Sequence, residues 1–273
     1  MDPPVYDTLI LSDVHLGAEC SRAREATSLL KHARFRRLVL LGDIFADLNF
    51  GRLTKEHWKF LGLIRKLSNP KRRIEVVWVE GNHDQGLSDI MSHLVGVDVY
   101  QEYSWEFDGK KHLAIHGHQF DRFGINSVRL SYLGTILYLQ LQRLDLKGMP
   151  ITRMIDRLNT RWLRMSSKVA SGALFHARLR KVDRIFCGHT HAAMQEEREG
   201  ICYYNSGGWV DSKLTYITVD TEGVRIHQYV EPAEHADASE ERGETDSPVA
   251  VSVDEIGAHQ GLEQDAEYES IVS

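Results

Sequence analysis

The chain is poor in cysteine: Cys20, Cys187 and Cys202 make an odd count with no metal-type spacing. A cysteine-built metal site is thereby excluded, and a reduced, cytosolic compartment fits best. Long apolar runs are also missing. No stretch reaches the roughly 18 uninterrupted apolar residues of a membrane span. The opening segment, MDPPVYDTLILSD, has no basic region and no cleavage signal, so it predicts a first strand rather than a signal peptide. The protein is expected to be soluble, or at most to sit on the inner face of a membrane. There is no internal repeat, and no Ser-His-Asp or reactive-cysteine arrangement stands out. Basic residues are nearly absent from the end of the chain: from Glu231 onward 13 Asp and Glu face a single Arg242. The overall charge of −6 therefore hides a basic body and an acidic tail. The tail has few apolar residues and no helical or strand period, which predicts disorder over 231–273.

What remains is enough to bury a good core, in one large domain over 1–230. Short apolar runs, each followed at once by polar or glycine residues, predict buried strands at Thr8–Leu11, Leu38–Leu41, Val76–Val79, Leu113–Ile115 and Arg184–Cys187. Helical patterns fall between them at Ser21–Ala33 and Thr54–Leu67. This alternation predicts an α/β fold with a layered sheet. Toward the end, Gly200–Ser206, Lys213–Val219 and Val224–Val230 are spaced like a run of antiparallel strands, so a mixed sheet or two packed sheets is expected.

Five short motifs end the apolar runs: Asp13-Val14-His15, Gly42-Asp43, Gly81-Asn82-His83-Asp84, His116-Gly117-His118 and Gly188-His189-Thr190-His191. Open α/β sheets place ligands at the carboxyl ends of strands, so all five are expected to converge on one rim. Each motif alone is weak, since His and Asp at strand ends are often only turn or capping residues. The full set is far more specific. Two cations about 3.5–4 Å apart can clamp the attacking and leaving oxygens of an in-line displacement and ionise a water near neutral pH. A shared carboxylate is needed to hold two dications so close, and Asp43 is the candidate. Mixed histidine, carboxylate and amide donors suit manganese, iron or zinc better than calcium.

The five motifs resemble those of the calcineurin-like metallophosphoesterase superfamily. A nearer resemblance is to its bacterial branch related to UDP-2,3-diacylglucosamine pyrophosphohydrolase. It is carried by LSDVHLG at Leu11–Gly17, LLGDIFAD at Leu40–Asp47, HGHQFD at His116–Asp121, CGHTH at Cys187–His191 and YYNSGGWVDS at Tyr203–Ser212. The resemblance implies an α-β-β-α sandwich with two metals, usually manganese. It implies that Asp13, His15 and His191 hold one ion and Asn82, His116 and His189 the other, with Asp43 between. His83 would contact the phosphate and protonate the leaving oxygen, and Asp84 would orient His83. Two departures stand out. The lipid A enzymes carry Arg at the position of His83 and usually Asp at that of His118; the histidine version is typical of phosphodiesterases. Whether His118 adds a ligand or lines the pocket stays open.

About 60 residues between the His116 and Gly188 motifs lack a strand pattern. Leu130, Leu133, Leu137, Leu141 and Leu144 recur at helical spacing, as do Met154, Leu158, Trp162, Met165 and Val169. Two or three helices are expected there, as a cap over 122–182 inserted above the active-site edge. From Arg122 to Lys181 there are 12 Lys and Arg against Asp145 and Asp156. Arg153, Arg157, Arg161, Arg164 and Lys168 share one face, about 100° from the apolar stripe. Such helices lie at membrane interfaces or over anionic ligands. Arg157 and Arg161 are therefore candidates to grip substrate phosphates, with acyl chains between the apolar faces. The plainer alternative is that the leucines pack the insertion and the arginines keep it soluble. A nuclease is a further alternative, since a basic face can follow a phosphate backbone. The insertion has few aromatics for base stacking, which favours an amphiphile over nucleic acid. The expected partner is a phosphate ester, most specifically a nucleotide-linked lipid. A broad hydrolase of soluble esters is the rival, and a non-catalytic scaffold disagrees with the complete ligand set.

Overall fold

A computed structural model describes residues 5–47, 49–86, 88–121, 151–210 and 213–231, with side chains of 88–90, 94 and 151–164 excluded. Two sheets carry the fold. Among the described residues the first has six strands in the order β11-β10-β1-β2-β3-β4, and the second has five in the order β5-β6-β7-β9-β8. In the first sheet β1 (Val5–Leu11), β2 (Arg34–Leu41) and β3 (Glu75–Val79) run parallel. The parallel centre of the second is β6 (Lys110–Ile115), β7 (Arg184–Cys187) and β9 (Ile201–Asn205).

Alternation along each strand sorts the apolar residues into layers, because successive side chains point to opposite faces. Leu9, Leu11, Leu38, Leu40 and Trp78 face a core shared with three helices: α1 (Ala23–His32), α2 (Lys55–Leu67) and α3 (Ser88–Val95). Their neighbours Ile10, Val39, Leu41, Val77 and Val79 face the other way, onto Trp105, Ala114, Phe186 and Tyr204 of the second sheet. The far side of that sheet presents Leu113, Ile115, Ile185, Cys187 and Tyr203 to α4 (Ile151–Arg180). The result is the expected α-β-β-α sandwich.

Local sequence explains the helix bounds. Thr54 caps α2 in a reciprocal box with His57, which satisfies otherwise orphaned N–H groups. His57 Nδ1 also accepts from Gly17 N–H at 3.2 Å, which ties the first motif loop to α2. On α4 the buried residues Ala170, Ala173, Leu174 and Ala177 keep helical spacing, and the small side chains let the helix lie close to the sheet.

The sequence reading and the structure differ in three places. The cap expected over 122–182 lies only partly within the described residues. Residues 122–150 and the tail from 232 lie outside the described residues, but α4 runs unbroken to Arg180, and from Val169 onward its buried face is a layer of the sandwich. The 60-residue gap hid this because alanines give little hydrophobic signal. The strand at 200–206 is also not part of a terminal antiparallel run. It pairs parallel with β7 and antiparallel with β8 (Met194–Arg198), while β10 (Thr215–Asp220) crosses to pair with β1 and β11 (Gly223–Gln228). Finally, β4 (Val99–Tyr100), β5 (Glu102–Phe107) and β8 have no apolar run to announce them.

Among the described residues no helix is long and apolar enough to cross a membrane.

Candidate metal centre

All five motifs follow parallel strands: β1, β2 and β3 in the first sheet, β6 and β7 in the second. Backbone hydrogen bonds knit the loops together. Asp13 N–H donates to Gly42 O at 3.0 Å, His15 N–H to Asp43 O at 3.0 Å, and Gly188 N–H to His116 O at 3.0 Å. Two glycines permit the approach. A Cβ on Gly81 would stand 2.2 Å from Asp43 N, and one on Gly188 would stand 2.5 Å from Asp13 Oδ2.

Among the described residues three groups of side chains converge closely enough to share an ion: Asp13, His15 and His191; His15, Asp43 and His83; Asp43, His116 and His189. They are linked, because His15 and Asp43 each belong to two of them. Asp13 Oδ2 is held by Ser12 Oγ and by His189 N–H at 3.1 Å, which turns Oδ1 toward His191 Nε2 at 3.2 Å and His15 Nε2 at 3.8 Å. His15 Nε2 and His191 Nε2 stand 3.2 Å apart. Asp43 Oδ1 accepts from His83 N–H at 2.8 Å, which leaves Oδ2 facing His116 Nε2 at 3.2 Å. His116 Nδ1 lies 2.8 Å from Leu41 O, and His83 Nδ1 lies 2.7 Å from Ala46 O. A carbonyl can only accept, so both rings carry their proton on Nδ1 and offer Nε2 to the site.

Donor chemistry and burial fit divalent metal. Asp13, Asp43 and His116 are almost fully buried. Among the described residues Asp13 Oδ1, Asn82 Oδ1, His116 Nε2 and His189 Nε2 are buried without a hydrogen-bond partner. Burying charge and polar atoms unpaired is costly, and divalent ions at the site would engage such donors. Burial opposes ionisation of Asp43, yet the charges of His116, His15 and His83 hold its carboxyl well below the usual carboxylate range. Burial lowers His15 to about 4 despite the Asp43 charge. At His116 burial is outweighed by the Asp43 and Asp13 charges, which lift the imidazole to about 10.

Asp84 departs from expectation. Its carboxylate accepts from Ile44 N–H at 3.1 Å and Phe45 N–H at 2.9 Å, and does not orient His83. It shapes the loop behind Asp43 instead, and the Ala46 carbonyl orients His83. Burial and the Asp43 charge lift Asp84 to about 7. Adjacency in sequence suggested the wrong contact, because the backbone turns between the two side chains. His118 begins a short turn beside the site, with its ring 5.5 Å from that of His116 and its Nδ1 buried without a hydrogen-bond partner among the described residues. The side chains of Arg157 and Arg161 lie outside the described residues. Ser12 was not singled out by sequence. It is fully buried, contacts Ser206 Oγ at 2.7 Å, and joins the two sheets behind Asp13.

Residues 7–223 match the family described as the calcineurin-like phosphoesterase superfamily domain. The chain belongs to the calcineurin-like phosphoesterase superfamily. It is thereby a metal-dependent phosphoester hydrolase. The match is to the superfamily and not to the lipid A branch. A search of curated proteins found no match. Similar solved structures include a novel archaeal phosphodiesterase, at 15% identity and TM-score 0.42, covering 81% of this chain and 98% of that one. Another is YfcE, a phosphoesterase from E. coli, at 16% identity and TM-score 0.43, covering 80% and 90%. A third is Vps29 complexed with zinc from Entamoeba histolytica, at 15% identity and TM-score 0.37, covering 81% and 97%.

Proposed function

We propose that this superfamily member uses two divalent ions, manganese by preference, to hydrolyse the pyrophosphate of a nucleotide-linked lipid of the UDP-2,3-diacylglucosamine type, giving UMP and a diacylglucosamine phosphate. The observation that carries the two-ion reading is the linkage of the ligand groups: Asp43 stands between the His116–His189 pole and the His15 group. In this reading Asp13, His15 and His191 hold one ion, and Asn82, His116 and His189 hold the other. When bound, such ions supply an ionised water and stabilise charge on the phosphoryl oxygens.

The chain's own residues do the rest. Ser12 and the His189 N–H fix one oxygen of Asp13 and so aim the other into the site. Leu41 O and Ala46 O fix the rings of His116 and His83. In its doubly protonated form His83 keeps Nδ1–H on Ala46 O and donates from Nε2, 4.0 Å from Asp43 Oδ2, to the leaving oxygen. Asp84 holds the Asp43 loop in place.

The lipid substrate is supported by the sequence resemblance and by the basic, apolar stretch from Arg122 to Lys181. Burial of hydrocarbon contributes about 0.8 kcal/mol per methylene, so an acyl chain in an apolar slot can decide substrate choice. Domain 1–230, a cap formed by the insertion, an acidic tail over 231–273 and a peripheral position on the cytoplasmic membrane face belong to the same proposal. Histidine at positions 83 and 118 favours a second reading, a phosphodiesterase of soluble esters.

The test is UMP release from UDP-2,3-diacylglucosamine with added manganese, beside UDP-N-acetylglucosamine as the acyl-free control. Fast, acyl-dependent release supports the lipid step. Cleavage of a simple aryl phosphodiester without UMP release would discard that substrate and leave the phosphodiesterase. In either case Asp43→Ala is expected to lose bound metal, read by elemental analysis, and turnover together. Normal activity in that variant would sink the mechanism.

A further inference from the structure

Asp121 closes the HGHQFD motif, yet it has no place in the ligand set above. It is buried, at 7% exposure, on a short turn after His116. Backbone bonds from Phe120 N–H to Gly117 O and from Asp121 N–H to His118 O, both 3.1 Å, close that turn. Helix α4 braces it from outside. A Cβ on Gly172 would lie 2.7 Å from Phe120 Cβ, so the contact needs glycine on the helix. The braced turn delivers Asp121 Oδ2 to 3.6 Å from His189 Nε2.

That nitrogen is buried and has no hydrogen-bond partner among the described residues. The other two fixed rings show what is missing. His116 and His83 each use Nδ1 on a backbone carbonyl and keep Nε2 for the site. Among the described residues no ring hydrogen bond fixes His189; its backbone N–H goes to Asp13. A metal-bound histidine almost always donates its second N–H to a carboxylate, a carbonyl or water, which fixes the tautomer and the ring orientation. Among the described residues the carboxylate within 4 Å of a His189 ring nitrogen is that of Asp121, and the nitrogen that it faces is Nε2.

We propose that Asp121 is a positioning residue that accepts the Nε2–H of His189, so that His189 meets its ion through Nδ1, opposite to His116. The inference rests on the two-ion reading above and deepens it. The 3.6 Å separation is longer than a hydrogen bond, and a shift on the order of half an ångström closes it. Helix α4 then acts on the site through Gly172, Phe120 and Asp121, although its own residues need not touch an ion.

The experiment is calorimetric titration of manganese into metal-free wild-type protein, Asp121→Ala and Asp121→Asn, beside thermal unfolding of each metal-free protein. Wild type is expected to bind two ions. Asp121→Ala should weaken one of them by about 10–100-fold and leave the other within about twofold. Asp121→Asn should recover most of that loss, because its amide oxygen still accepts. Metal-free melting temperatures should stay alike. Unchanged affinities in Asp121→Ala overturn the proposal. So does a parallel drop in metal-free stability, which assigns a structural role. An Asn variant as weak as the Ala variant assigns Asp121 as a direct ligand instead. Failure of the unaltered protein to bind two ions would remove the two-ion reading itself, and that result is read separately from the variants.

Discussion

Asp13, His15, Asp43, His189 and His191 all hold backbone φ between 50° and 67°. Such left-handed conformations are uncommon outside glycine and cost on the order of 1–3 kcal/mol each. Here neighbouring bonds hold them in place: the loops of both sheets hydrogen-bond one another around these residues. The motif positions were legible because His, Asp and Asn ended apolar runs. The angles were not, and neither was the direction of a side chain, as Asp84 illustrates. His112 is a second residue whose role only packing reveals. It stacks 4.9 Å from Trp105 and 5.8 Å from Phe186 between the sheets. Its Nδ1 lies 2.9 Å from Lys110 O, and its Nε2 faces Arg184 Nη1 at 3.3 Å, so the ring is neutral with its proton on Nδ1. Burial and the Arg184 charge lower it to about 4. The unfolded chain therefore binds more protons than the folded one between pH 4 and 6.5, and stability must fall as pH drops through that window. The contribution is on the order of 2 kcal/mol after allowance for solvent screening. His112→Gln is expected to flatten this part of the stability–pH profile, measured by urea unfolding from pH 4 to 7. An unchanged slope would refute the assignment.

At the scale of elements, strands with continuous apolar runs were readable, because burial on both faces demands such residues. Edge strands were not. Of the β8 residues in MQEER none is fully buried, and β5 alternates in EYSWEF with only Trp105 buried. The helical period at 154–169 was visible, but the continuation of α4 to Arg180 rests on Ala170, Ala173 and Ala177, whose contribution is close approach rather than bulk. Gly172 belongs to the same interface. Alanine there gains about 1 kcal/mol of helix propensity, but its Cβ would meet Phe120 Cβ at 2.7 Å. Overpacking of this kind costs about 1–3 kcal/mol. Gly172→Ala is expected to lower stability by up to about 2 kcal/mol in denaturant unfolding. A variant more stable than wild type would show that the helix can move outward freely.

For the whole molecule, the proposed cap would bring basic residues to a site built at the sheet rims. Charged hydrogen bonds are worth about 1.5–3 kcal/mol each, so arginines over substrate phosphates would matter by about 10- to 100-fold apiece. Arg157→Glu with Arg161→Glu is expected to lower kcat/KM on the lipid-linked pyrophosphate by at least about tenfold, while turnover of a small aryl phosphodiester stays near wild type. Equal losses on both substrates would reject a cap that selects lipid and leave the two arginines as general surface charge.

By itself the sequence determined the donor chemistry and its order. Two aspartates, an asparagine and four histidines at the ends of apolar runs are local facts, written within a few residues of each strand. It also determined that strands and helices alternate, because the period of apolar residues is local too. Only the tertiary structure decided which sheet each strand joins, so that β9 pairs with β7 and β10 crosses to β1. Only there do Asp84, Ser12 and Asp121 acquire their contacts. Pairing and side-chain direction depend on residues far apart in the chain, such as Ser12 on Ser206, and no local pattern encodes such a meeting.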